Sequence, residues 1–314
     1  MSEKLLTIFT PTYNRGDLLE RCYEYLKHQT SFNFKWLVVD DGSTDDTKKI
    51  VRKWIENEKL FEINYIYKEN GGLHTAYNTA IENMDTELCM CIDSDDYPSE
   101  NAVELIDKCW NSRNKDIEYA GIIGLDYRTN GELVGGRLGE YSDINLVDWT
   151  VEKYPVKKGD KKLVVRVDLY KSVFPMKKYP GEKNYNPNYM NIKIGFDKNY
   201  IVLDECLCYV DYQEDGMTNS MLWQYYNSPN SFRDIRLLYL SFPNAPLKFK
   251  VKHTIHYISS SFLSKQKIFD DVQNKIITFF AYLLAFYFPN ILNIIIKHSW
   301  WLSEIKIGGA VGDV

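Results

Sequence analysis

Asp93, Ser94, Asp95 and Asp96 follow one another in the segment CIDSDDYP. Three carboxylates in four residues repel each other unless a cation joins them. A hard divalent ion such as Mg²⁺ or Mn²⁺ prefers oxygen donors of this kind and shares them with a diphosphate. Taken alone, such a turn also works as a solvated cap for the helix after it. Two further polar clusters weigh against the bland choice: Thr10-Pro11-Thr12-Tyr13-Asn14-Arg15 and Asp40-Asp41-Gly42-Ser43.

The elements that must hold these clusters can be read from hydrophobic spacing. Residues 5–10 form an apolar run that reads as a buried strand, and Leu18, Leu19, Cys22, Tyr25 and Leu26 recur at helical spacing. Residues 36–39, 63–67, 88–92 and 119–125 read as four further strands. Helices fall between them: one opened by Asp45 and Asp46, one after Gly71-Gly72 with a stripe from Leu73 to Met84, and one carrying Ala102, Val103, Ile106 and Cys109, with Ser99 as its cap. Strict alternation of strand and helix predicts an α/β fold with a mainly parallel, doubly wound sheet. Sheets of that kind bind ligands at the carboxyl ends of their strands, where the clusters after strands one, two and four all fall. Residues 126–225 are less regular and read as a small mixed region laid over that edge. From about residue 230 the pattern turns helical, broken at Pro243, Pro246 and Pro289.

Composition narrows the possibilities. The chain has 314 residues, 45% apolar and 26% charged, with 38 basic and 43 acidic side chains and a formal net charge of −5. That is a globular composition, and its acidity argues against a nucleic-acid partner. The last 84 residues carry a net +5, which leaves −10 on the rest. Six cysteines fit a reducing compartment. The C-x-C pairs Cys89/Cys91 and Cys206/Cys208 lie in strand-like runs, where packing is expected rather than zinc. The apolar run near the N-terminus is too short for a signal-peptide core, so a cytoplasmic protein is expected. Residues 276–296 contain no charge, but Pro289 and Asn290 interrupt them. A helix pair on a membrane surface or against the body fits them better than a span.

The segments TPTYNR, VVDDGSTDDT, NGGLHTAYNTAI and CIDSDDYP, in this order and spacing, closely resemble the family 2 glycosyltransferases of the GT-A fold. The later GDKKLVVRVDLYKSVFP, YPGEKNYNP and YQEDGMTNS resemble a branch that builds bacterial capsular and cell-surface polysaccharides. The resemblance implies an inverting transfer of a sugar from a nucleotide-sugar, usually a UDP-sugar, to an acceptor hydroxyl. It implies a nucleotide-sugar-binding half over 1–125 and an acceptor-binding half over 126–228; it does not clearly cover the tail, where the sequence pattern gives a C-terminal helical region over 229–314, membrane-associating or oligomerising. Carried over, Pro11 and Tyr13 flank base and ribose, Asp41 accepts from the base with Asp40 supporting its turn, and Asp93, Asp95 and Asp96 supply the D-x-D contacts to ribose and to Mn²⁺ or Mg²⁺. Tyr77 stands where many relatives have an Arg for the diphosphate, which leaves His74 or another basic residue for that task. Glu182 is the candidate general base, with Lys183 where the usual Asp stands. Asp215, beside Thr218 and Ser220, is a candidate metal ligand and catalytic group.

Other readings were weighed on the same residues. A sugar-nucleotide pyrophosphorylase needs a glycine-rich loop after strand one, and here no glycine occurs before Gly16. A scaffold or carbohydrate-binding subunit that has lost its base stays open because of Lys183. Lys248, Lys250, Lys252, Lys265 and Lys267 beside the apolar stretch suit an anionic membrane and a lipid-linked glycan acceptor on the inner face of the cytoplasmic membrane. The same helices also suit a homo-oligomer interface.

Overall fold

The computed structural model describes residues 4–211, 221–272 and 274–287. They divide into two compact units. Unit 1 comprises residues up to 178 together with 183–220, and unit 2 comprises 179–182 together with the chain from 221 onward.

Unit 1 opens with β1 (Leu6–Thr12), α1 (Gly16–Lys27), β2 (Phe34–Asp40), α2 (Thr47–Asn57), β3 (Glu62–Tyr67), α3 (Leu73–Asn83) and β4 (Leu88–Cys91). It continues through β5 (Tyr97–Pro98), α4 (Ala102–Asn111), β6 (Gly121–Arg128), β7 (Asp143–Ile144) and α5 (Leu146–Thr150). The last elements are β8 (Lys161–Arg166), α6 (Val167–Val173), α7 (Asn188–Ile194) and β9 (Tyr200–Val210). The nine strands form one sheet in the order β3-β2-β1-β4-β8-β6-β9-β5, with β7 on β9. β1 to β4 are mutually parallel, as the strand–helix alternation predicts, and β1 is buried along its whole length because helices cover both faces. Leu6, Ile8, Trp36, Val38, Leu88 and Met90 form its core with Leu19, Cys22 and Leu26 of α1 and Val103, Ile106 and Trp110 of α4.

Two expectations change. The strand after β4 in space is β8, which enters antiparallel between β4 and β6. Part of the irregular region therefore belongs to the central sheet, along with β9, which pairs parallel with β6. Ser99 does not cap α4. Its hydroxyl donates to the Cys206 carbonyl at 2.6 Å, and Asn101 holds the N-cap position without a side-chain bond to the helix amides. The six cysteines are all free thiols.

Unit 2 contains α8 (Met221–Asn227), α9 (Pro229–Leu240), α10 (Leu247–Leu263) and α11 (Lys275–Tyr287). Arg233 of α9 pairs with Asp271 and reaches the Tyr257 hydroxyl of α10 at 3.2 Å. α11 lies on α10 through Ala281 and a stack of Tyr282 on Phe262, leaving Ile276, Phe279 and Phe280 exposed. Among the described residues, no helix is long and apolar enough to cross a membrane. Residues 288–296 of the uncharged stretch lie outside the described residues.

The insertion of β8 depends on Gly121. This residue has φ +153°, and a Cβ there would lie 1.9 Å from the Val164 carbonyl oxygen of β8. Gly121→Ala is therefore expected to cost about 3 kcal/mol or more in urea unfolding, since neither strand can yield without losing its pairing. Gly131→Ala, at φ +85° with nothing within 4 Å, should lose only about 1–2 kcal/mol from backbone strain. Equal losses would refute this account of the junction.

Candidate functional site

The carboxyl ends of β1, β2 and β3 are in register, with Thr12 opposite Asp40 and Asp40 opposite Tyr67. The loops that leave them are tied to each other. Asn14 adopts φ +52°, its backbone N–H donates to Ser43 Oγ at 2.8 Å, and its Oδ1 accepts from the Thr44 N–H at 2.7 Å. The Asp41 N–H donates to the Thr12 carbonyl at 2.8 Å. Pro11 is buried within β1 as part of the floor, while Tyr13 stands 48% exposed, a free aromatic face at the rim.

Asp40 and Asp41 are both buried. Asp40 accepts from the Ser43 N–H at 2.7 Å and from the Tyr65 hydroxyl at 2.5 Å, which locks the turn after β2. Asp41 does more than a base acceptor would. Its Oδ2 takes the Gly72 N–H at 2.8 Å and Asn70 Nδ2 at 3.2 Å, and its Oδ1 takes the Gly71 N–H at 3.0 Å, Thr75 Oγ1 at 3.3 Å and the Lys68 ammonium. Five donors on one carboxylate make Asp41 the organiser of residues 68–75. Gly72 is required there. Its φ is +92°, and a Cβ would meet the Lys183 carbonyl oxygen at 1.8 Å.

His74, in the first turn of α3, is 1% exposed. Burial pushes its imidazole down to about 4, against the pull of Asp41. With this value the ring of the protein is neutral near pH 7. Its Nδ1 is buried without a hydrogen-bond partner, as is Thr12 Oγ1. Tyr77 packs edge-on against Phe9 at 5.0 Å and adjoins Cys91 and Asp93.

The acidic turn follows β4. Arg15 Nη1 donates to Asp95 Oδ2 at 2.7 Å, and Arg21 Nη2 donates to the Asp95 carbonyl and to Asp211 Oδ2 at 3.0 Å. Arg15, which stands in the first motif, thus pairs with the acidic turn, a contact that sequence reasoning did not foresee. Asp96 is 7% exposed and accepts from the Asp211 N–H at 3.1 Å. Asp93, on the same turn, keeps a solvent-exposed surface and is crowded by protein beneath it. Burial raises its pKa, and the Asp95 charge adds to the effect. Burial likewise raises Asp96 to about 8 and Asp126, on β6, to about 6. Asp93, Asp95, Asp96 and Asp126 face two cations, Arg15 and Lys162, because Arg21 is matched by Asp211. The cluster therefore carries more carboxylates than cations, and a proton on Asp96 partly makes up the difference.

Hard oxygen donors that outnumber the cations beside them fit a divalent ion. Among the described residues, no three His, Cys, Asp or Glu side chains are grouped to hold one by themselves. Asp215, Thr218 and Ser220 lie outside the described residues.

Glu182 belongs to unit 2, and the structure gives it a defined task. Its Oε1 accepts from the Asn230 N–H at 3.0 Å and Nδ2 at 2.7 Å, and its Oε2 accepts from the Ser231 N–H at 3.1 Å. It caps the N-terminus of α9, where orphan amides and the helix dipole favour a carboxylate. Lys183 donates to Asn70 Oδ1 at 2.7 Å.

His74 sets a pH test. Its folded value lies below the ordinary 6.5, so the unfolded chain takes up the proton first as the pH falls. Its contribution to stability is complete above pH 6.5 and is lost progressively toward pH 4. Thermal unfolding across that window should show a shallower acid decline in His74→Gln than in the native chain. An unchanged slope would mean that the imidazole titrates alike in the folded and unfolded states.

Comparison with known proteins bears on what this edge serves. Residues 7–143 match the family model described as glycosyl transferase family 2. The chain is 34% identical over 120 residues to glycosyltransferase GlyA of Streptococcus pneumoniae, covering 38% of this chain and 16% of that protein. It is 33% identical over 126 residues to a chondroitin synthase of Escherichia coli, covering 40% and 17%. The match thus spans about a sixth of the length of either relative. Among solved structures, residues 1–349 of S. aureus TarS in complex with UDP-GlcNAc superpose with a TM-score of 0.57 at 20% identity, covering 82% of this chain and 72% of that one. The mannosyltransferase PcManGT from Pyrobaculum calidifontis, in complex with GDP-Man and Mn²⁺, superposes with a TM-score of 0.53 at 16% identity, covering 96% and 86%. Residues 7–143 of this chain thus resemble the family 2 glycosyl transferases, and they lie in a mixed sheet of the GT-A type.

Proposed function

We propose that the chain is a metal-dependent, inverting glycosyltransferase. It moves a sugar from a nucleotide-sugar, most simply a UDP-sugar, to a hydroxyl of a glycan acceptor in bacterial surface polysaccharide synthesis. One observation carries this reading: the loops after β1, β2 and β4 meet at one sheet edge, and the acidic turn there has more carboxylates than cations. The family resemblance of residues 7–143 supports it, as do the glycan-synthesising relatives and the sugar-nucleotide complexes of the structural neighbours.

In this reading Tyr13 stacks on the base and Pro11 forms the floor beneath it. Asp40 and Asp41 hold the two loops that frame the nucleotide, and Asp93 and Asp96 face the ribose. Asp95, with Asp215, would hold Mn²⁺ or Mg²⁺, which supplies Lewis-acid stabilisation of charge on the departing diphosphate. Arg15, already on Asp95, is the side chain placed to offset further negative charge there. Neutral His74 contributes its unpartnered Nδ1 to the cleft, not a charge. A single carboxylate on the acceptor side suffices for one inverting displacement, as it takes the hydroxyl proton while the oxygen attacks C1. Glu182 is the candidate, and to act it must exchange its bonds at the α9 N-terminus for one to the acceptor. The basic helical unit, with Lys248, Lys250 and Lys252 on α10, suits the anionic inner face of the cytoplasmic membrane and a lipid-linked acceptor.

The capping role of Glu182 favours a second reading, a GT-A scaffold that binds donor without turnover. Release of UDP from a panel of UDP-sugars with Mn²⁺ separates the two. The enzyme reading expects turnover that falls at least 100-fold in Asp95→Ala, and 10²–10⁴-fold in Glu182→Gln with only a small loss of stability. UDP binding without turnover on any acceptor establishes the scaffold. Full activity in Glu182→Gln assigns the base elsewhere.

A further inference from the structure

Adjacent lysines on β8 have opposite fates. Lys161 donates to the Val134 carbonyl at 2.6 Å, an ordinary backbone contact. Lys162, on the other face, has its side chain 12% exposed and finds no such partner among the described residues. Its ammonium lies 3.8 Å from Asp126 Oδ1, too far for a hydrogen bond, and that oxygen has no other partner. The three carboxylates around Lys162 come from two places: Asp126 on β6, and Asp93 and Asp96 on the turn after β4. Cys208 of β9 and Cys22 of α1 also face it, as neutral thiols raised by burial. The next residues of β8, Val164 and Val165, are core. An ammonium at such a depth is costly unless carboxylates answer it, and a carboxylate there is equally costly without the ammonium.

We propose that Lys162 is a positioning residue of the donor site, an internal counter-ion that β8 threads behind the acidic turn. It balances Asp126, Asp93 and Asp96 at once and so fixes where the turn presents its outward oxygens. This rests on the reading of that turn as the metal and nucleotide site. The antiparallel insertion of β8 gains a purpose from it, because the insertion sets Lys162 against Gly124 of β6, with Asp126 on the same strand two residues on.

The test is a double-variant cycle on the full chain, read as thermal unfolding first in EDTA and then with saturating Mn²⁺. Without metal, Lys162→Met should lower Tm by roughly 5–10 °C, because it strands a buried carboxylate. Lys162→Met with Asp126→Asn should recover more than half of that loss, and Lys162→Arg should resemble the native chain. If Lys162→Met gives no folded protein while the double variant folds, the coupling is established all the same. Mn²⁺ should then raise Tm more in Lys162→Met than in the native chain, since the ion offsets the charge the lysine no longer balances. Additive losses in EDTA overturn the proposal. So does coupling with equal Mn²⁺ shifts, which would make the pair a structural bond without bearing on the turn. A native chain whose Tm ignores Mn²⁺ contradicts the metal site itself, and the cycle in EDTA still decides whether Lys162 and Asp126 are coupled.

Discussion

Like charges crowded into a partly dry cleft are the constraint around which unit 1 is arranged. Water screens carboxylates well at a surface, but at the end of a buried strand the screening weakens and each unmatched charge costs several kcal/mol. Asp93, Asp96 and Asp126 all feel it, and their pKa values rise for that reason first. Arg15, on Asp95, and Lys162, beside Asp126, offset part of the charge. The remaining imbalance adds nothing to stability and is what the proposed metal and nucleotide site would meet.

The remainder of the edge can be understood as support for this cleft. Asp40 holds its own turn, and Asp41 gathers Gly71, Gly72, Asn70, Thr75 and Lys68 into a fixed loop. Gly72 lets the Lys183 carbonyl approach closely, and Lys183 reaches back to Asn70. An aromatic rim residue, Tyr13, stays free of this network. Loops tied in this way have little freedom left to lose when a nucleotide binds, which is the physical content of preorganisation.

Much of the donor half was legible because its signals are local. Buried parallel strands read as apolar runs, and the polar clusters follow them directly. The position of β8 was not legible, because strand order depends on pairing between residues far apart in the chain. With it went Lys162, which in sequence is one of several lysines in GDKKLVVRVDLY and gains its meaning only beside Asp126. Glu182 shows the converse. Its motif suggests a base, and its bonds to Asn230 and Ser231 show a helix cap, a role that depends on a partner 48 residues away. His74 was considered as a cation from its type alone, and burial makes it neutral. Arg15 was in plain view within TPTYNR but could not be matched to Asp95 without the fold.

The central claim is that the acidic turn completes its charge balance with a divalent cation, which in turn holds a nucleoside diphosphate. Calorimetric titration of UDP into the full chain tests it most directly, in the presence of Mn²⁺ and then of EDTA. The account predicts binding that weakens at least tenfold without the metal and is lost in Asp95→Ala. Equal affinity in Mn²⁺ and EDTA, unaffected by Asp95→Ala, would contradict it.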